Sequence, residues 1–212
     1  MKQLRPDLWQ TALHNAGPLN TYAYFLTRAE GGNVLFYHTD NDDDLAEMAA
    51  LGGVHLQALT HRDEAGPGLA TIRQRFGATL AASTGEMPYI IPHAPVGLEI
   101  NAHTSIVSRE IRIFHTPGHS IGSICYLYDS PHGDQYLFTG DTIFQWDGAW
   151  SGLVIGNAGG NVDDLCRSLA FLRTLNPDLV MSSGFVGPDT NPEIPPGTWP
   201  DIIDSTIARL RD

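Results

Sequence analysis

The chain has few cysteines: Cys125 and Cys166 are the only two in 212 residues, and they form no C-x-x-C pair. Cys125 falls in an apolar strand-like run and Cys166 in a helix-like one. Both read as buried thiols in a reducing compartment, so no disulfide framework is expected. Basic residues are also scarce, with 12 Lys+Arg against 24 Asp+Glu, a formal net charge of −12. No basic stripe appears, which argues against nucleic acid and anionic membrane as partners. No apolar run approaches the roughly 20 residues that cross a bilayer. Met1 to Gly17 lacks the apolar stretch of a secretory signal, so the expected location is cytoplasmic. Repeats, low-complexity segments and a clear domain boundary are absent too, and a single domain over residues 1–212 is expected.

What remains is an ordinary globular composition, 42% hydrophobic and 17% charged. Thr21–Arg28 and Asn33–His38 read as strands around the Glu30-Gly31-Gly32 turn. Asp44–Leu51 reads as a short helix, with Asp40 and Asp42-Asp43-Asp44 as its capped, solvated start. Val54–Thr60 is an apolar strand with His61 at its end. Leu69–Phe76 reads as a helix stopped by Gly77, and Ala78–Ala82 as a strand. Leu98–Asn101 and Thr104–Phe114 alternate like strands. Ile121–Tyr128 and Gln135–Thr139 form a strand pair around a turn at residues 129–134. Val162–Leu175 is a helix with Asn161 as N-cap, Leu179–Ser182 a strand, and Pro200–Leu210 an amphipathic helix. Strand pairs mixed with strand–helix units indicate an α/β layered protein.

Three segments carry the chemistry. His61 leaves an apolar strand, and Asp63 follows at i+2, a spacing that in extended backbone puts both side chains on one face. Asp63 and Glu64 also fit a plainer role as charge at a helix start. Thr116-Pro117-Gly118-His119-Ser120 joins two apolar strands and exposes His119 on a loop, as a metal ligand or as a backbone-bonded histidine. Phe138-Thr139-Gly140-Asp141 delivers Asp141 at a strand end, where α/β folds place functional groups. Gln145–Gly152 is a Gly-rich loop whose Trp146 and Trp150 could wall a substrate pocket or pack the loop down. His115 reads as structural or as support for the His119 loop. His14, His38, His55, His93, His103 and His132 lack partner spacing and read as surface or core histidines.

Taken in order, His61-x-Asp63, T-P-G-H-S-x-G-S and F-T-G-D resemble the metallo-β-lactamase superfamily over about Thr21 to Gly187. The resemblance implies a four-layer αββα sandwich with a metal site at one edge of the sheets. It also shows a degenerate motif. The family's H-x-H-x-D-H corresponds to His61-Arg62-Asp63-Glu64-Ala65-Gly66, so Asp63 stands for a histidine, and Ala65 and Gly66 bring no ligating atom. The later histidine is missing near Ser183-Gly184. The private ligands of a second metal are therefore gone. His61, His119 and Asp141 remain for one ion, zinc or iron, with Asp63 as a fourth candidate ligand; the flavodiiron branch places Glu at that position.

This resemblance leaves three functional expectations. The first is a mononuclear metallohydrolase of a small ester, thioester or lactone. The second is a mononuclear iron enzyme of persulfide dioxygenase type, whose His/His/Asp set matches His61, His119 and Asp141. The third is a non-catalytic relative holding a structural metal or a small molecule, or an empty site. No catalytic base is identified; Glu64 is the nearest carboxylate, but it should point elsewhere. A small-molecule substrate or ligand is the expected partner, and a homodimer is compatible with the chain.

Overall fold

Apolar runs of three to six residues alternate with Gly, Asn and Asp turns along most of this chain, and each run becomes a short strand. The computed structural model describes residues 1–16, 19–108 and 110–212. The chain divides into two compact units, Met1–Asn101 and Ala102–Asp212. Among the described residues no helix is long and apolar enough to cross a membrane.

The first unit runs β1 (Lys2–Arg5), β2 (Leu8–Gln10), β3 (His14–Ala16), β4 (Leu19–Thr21), β5 (Tyr24–Leu26), β6 (Val34–Phe36), α1 (Asp42–Ala50), β7 (Leu56–Ala58), α2 (Gly68–Phe76), β8 (Thr79–Ser83), α3 (Met87–Ile90) and β9 (Leu98–Ile100). Seven of these strands form one sheet in the order β1-β2-β5-β6-β7-β8-β9. The pairing is antiparallel up to β6 and parallel from β6 to β9. Parallel neighbours need crossovers, and α1 and α2 supply two of them. Helix α1 starts where Asn41 accepts from the Asp44 amide, a cap worth about 1 kcal/mol, and three aspartates follow in its first turn. That acidic start is not wholly solvated as the sequence suggested: Asp44 is buried and accepts from the Ala12 amide at 2.9 Å. Helix α2 ends where Gly77 takes a left-handed conformation, as read from the sequence. Leu59, Leu69, Leu80, Ala82, Ile90 and Ala94 pack into one cluster of this unit.

The second unit runs β10 (Ile106–Ser108), β11 (Ile111–His115), β12 (Ile124–Asp129), β13 (Gln135–Phe138), β14 (Phe144–Trp146), β15 (Ala149–Ser151), α4 (Val162–Leu172), β16 (Leu179–Met181), β17 (Gly184–Phe185) and α5 (Trp199–Arg211). Its sheet has the order β10-β11-β12-β13-β16. Strand β12 is antiparallel to both β11 and β13, and β13 is parallel to β16. Strands β11, β13 and β16 therefore point the same way, and the segments after them leave the same edge. The leucines of α4 and the Trp199/Ile203 face of α5 close over Cys125, Leu127, Leu137 and Val180. Asn161 caps α4 by accepting from Asp164, as the sequence predicts.

The structure corrects the sequence reading in four places. Thr104–Phe114 is not one strand but the antiparallel pair β10–β11, with Arg109 between them outside the described residues. Gln145–Gly152 is not a loop but the hairpin β14–β15, turned by Asp147 and Gly148, both at positive φ. Asp-Gly is the pair such a turn demands, so the signal was in the sequence. The short helix α3 and the strands β1 to β4 had no expected counterpart. Each is only three or four residues long, too short for periodicity to register.

Candidate metal centre

His61 reaches its place at the carboxyl end of the parallel part of the first sheet. Pairing continues past β7, where the Leu59 amide donates to Ala81 at 3.1 Å. Residues Arg62–Glu64 then coil into one 3-10 turn, with His61 still extended before it. The turn decides where the neighbouring side chains go. The extended i, i+2 geometry expected for His61 and Asp63 does not exist; the Asp63 side chain is 48% exposed and its Oδ2 lies 3.9 Å from His61 Nε2. Glu64 instead folds back and is buried. Its carboxylate accepts from the Thr60 amide at 2.7 Å and from the Thr60 hydroxyl, and its Oε1 lies 3.1 Å from His61 Nδ1. Arg62 pairs with the fully buried Glu86, and its guanidinium stacks 3.7 Å above the Tyr89 ring.

One more histidine belongs to this region. His38 follows β6, and its ring packs against Gly66 and Gly68: a Cβ on Gly68 would come within 2.8 Å of it. Burial is the main influence lowering the His38 pKa from its ordinary 6.5, opposed by the charge of Glu64. Nothing in the spacing linked residue 38 to the motif.

His119 sits in a tight turn of the second unit. The Gly118 amide donates to Ser120 at 3.1 Å, and Ser120 and Ser123 bond side chain to side chain at 2.7 Å. Gly118 has φ 140, and any Cβ there would meet the Leu165 backbone of α4 at 2.3 Å. The glycine is thus required by both conformation and space. His119 is fully buried, and its Nδ1 lies 2.9 Å from the Leu153 carbonyl. A carbonyl accepts only, so Nδ1 carries a proton, and in the neutral ring Nε2 keeps the lone pair. His115 is the exposed last residue of β11.

Asp141 leaves the end of β13 through Gly140, which has φ 52, and is buried. Its Oδ1 accepts from the Ser183 hydroxyl at 3.0 Å and from the Gly184 amide at 3.2 Å. Sequence reasoning marked Ser183-Gly184 only as the place of a missing histidine; here the pair anchors a carboxylate.

His61 in the first unit and His119 and Asp141 in the second are all buried. The donor set fits a divalent cation: two imidazoles and one carboxylate, sheltered from bulk water. Asp63 stands outside this group.

The two tryptophans part company. Trp150 packs edge-on against Trp199 at 6.2 Å and joins the core of its unit, so it pins the hairpin to α5. It also borders an open groove of about 370 Å³ lined by Gln145, Asp189, Asn191 and Glu193. Trp146 is half exposed and leans on Phe144.

Residues 36–184 match the family model of the metallo-beta-lactamase superfamily. The chain belongs to that superfamily. Its superfamily fold agrees with a metallo-beta-lactamase from Cronobacter sakazakii carrying a mutated HARLDQ motif: 16% identity, TM-score 0.72, 99% of this chain and 94% of that one covered. The B3 metallo-beta-lactamase BLEG-1 is 25% identical with TM-score 0.67, over 85% and 92% of the two chains. A hydroxyacylglutathione hydrolase of Pseudomonas aeruginosa is 33% identical over 84 residues, which is 40% of this chain. The match spans only 30% of the length of that curated relative. A sheet with its own helices in each unit is the makeup of the superfamily's αββα fold, and the superfamily implies a divalent metal ion.

Proposed function

We propose that the protein is a metal-dependent hydrolase with a single divalent ion held by His61, His119 and Asp141, acting on a small ester, thioester or lactone. The observation that carries this reading is that three buried donors of the right chemistry, His61, His119 and Asp141, stand within the region that matches the superfamily. A divalent ion there supplies a Lewis acid for the carbonyl and acidifies water. The chain's own residues do the rest. The Leu153 carbonyl turns His119 so that Nε2 is its ligand atom. Ser183 and Gly184 hold Asp141 in place by its Oδ1. Ala65 and Gly66 carry nothing that could hold a second ion or steer a water. Asp63, 3.9 Å from His61 Nε2, is the candidate fourth ligand. The partial match to hydroxyacylglutathione hydrolases favours a thioester among the substrates.

Two imidazoles and one carboxylate are also the facial set of non-haem iron, so an iron enzyme acting on a thiol or persulfide is the second reading. Metal content by plasma mass spectrometry tests both, on protein purified without chelator or metal-affinity resin. About one zinc or iron per chain is expected, lost in His119→Ala and Asp141→Ala, and the element found selects thioesterase or oxygenase assays. No metal in any sample, and no uptake of added zinc or ferrous iron, would leave a non-catalytic relative.

A further inference from the structure

We infer that Glu64 is a positioning residue: its buried carboxylate holds His61 in the Nδ1–H tautomer and so makes Nε2 the ligand atom. The inference rests on the metal-site reading above.

The proton count decides it. Glu64 is 5% exposed, and the 3-10 turn brings its side chain back over the residue three before it. Its Oε2 accepts from the Thr60 amide at 2.7 Å, and its Oε1 accepts from the Thr60 hydroxyl. That hydroxyl has one hydrogen, and it is spent on Glu64. His61 Nδ1 then faces the Thr60 oxygen at 3.1 Å and Glu64 Oε1 at 3.1 Å, both offering lone pairs only. An Nδ1 lone pair there would face two other lone pairs and a negative charge. Nδ1 must carry the hydrogen, and in the neutral ring Nε2 is left bare. A carboxylate behind a ligating imidazole also raises the ring's basicity and fixes its plane. His119 obtains the same tautomer from a backbone carbonyl; His61 obtains it from a side chain and is open to mutation.

Glu64 could also be a brace for the turn and nothing more, since it satisfies two groups of Thr60. The measurement that separates these roles reads the tautomer itself. Long-range proton–nitrogen NMR on metal-free protein at a pH where the ring is neutral, with His61 assigned by its loss in His61→Gln, should show Nδ1 protonated and Nε2 bare. In Glu64→Gln the amide keeps an acceptor for the Thr60 amide and presents N–H to Nδ1. The tautomer should reverse, and zinc affinity measured by competition with a chromophoric chelator should fall by about 10- to 100-fold. Thr60→Val, which keeps the carboxylate, should leave both unchanged.

An Nε2–H ring in the unaltered protein overturns the inference without any variant. So does Glu64→Gln with the original tautomer and affinity and only a lower urea midpoint. If the unaltered protein takes up no zinc, the metal reading fails, while the NMR signal still judges Glu64.

Discussion

The loops that carry His61 and His119 fix an imidazole by opposite means. The His119 loop is built from backbone. Gly118 is pressed on the Leu165 backbone, the Pro117 carbonyl accepts from Ser168 at 2.7 Å, the His119 carbonyl accepts from the Ile155 amide at 2.9 Å, and the ring leans on the Leu153 carbonyl. The His61 loop is built from charged side chains, with Glu64 behind the ring and the Arg62–Glu86 pair beside it. Backbone contacts survive most substitutions but tolerate no added bulk. Buried charges tolerate small changes of shape but not the loss of a partner. The two loops should therefore fail under different mutations.

The largest difference is expected at the glycines. Gly118→Ala drives a Cβ into the α4 backbone, which cannot swing aside, in a conformation that L residues avoid; a loss above about 4 kcal/mol is expected, read as collapse of the urea transition. A near-native midpoint would show that the His119 loop yields after all. Next comes Glu86→Ala, which strands the Arg62 guanidinium, a side chain only 9% exposed, at a cost of about 3–5 kcal/mol. Arg62→Met in the same background should recover much of the loss, and failure to do so would remove charge from the account of this loop.

A smaller effect concerns pH. Burial keeps the folded His38 pKa below its ordinary 6.5. The unfolded chain therefore takes up that proton first, and stability is lost as pH falls through about 6.5. Urea midpoints at pH 7.5 and 5.5 should lie closer together in His38→Gln than in the unaltered chain; an equal spread would remove His38 from the pH response. The smallest effect is expected at Gly66→Ala. Its Cβ would meet His38 Nε2 at 3.5 Å, an ordinary contact, and stability should change by less than about 0.5 kcal/mol.

The same contrast explains what the sequence could tell. The second unit's half was legible because backbone requirements leave residue-type signatures: T-P-G-H for a turn that only glycine fits, F-T-G-D for a strand end, Asn161 for a cap. The first unit's half was legible only as far as His61. The 3-10 turn at Arg62–Glu64 overrode the extended spacing assumed for Asp63, and nothing local announces a single turn of that kind. Glu64 is placed by that turn, and His38 and Ser183 by tertiary folding, and periodicity reports neither. Trp146 and Trp150 look alike in sequence; only the hairpin register sends one into the core and the other outward.

The hold on Asp141 reaches beyond this one site. In the two-metal arrangement that the motif resembles, the matching carboxylate bridges both ions. Here a hydroxyl and an amide have taken Oδ1 for themselves. Adding histidines at 65, 66 or 183 to recruit a second ion would therefore leave the bridging to Oδ2, unless Oδ1 is also released from its present donors. Ser183→His alone removes one of the two Oδ1 donors and leaves the Gly184 amide as the other.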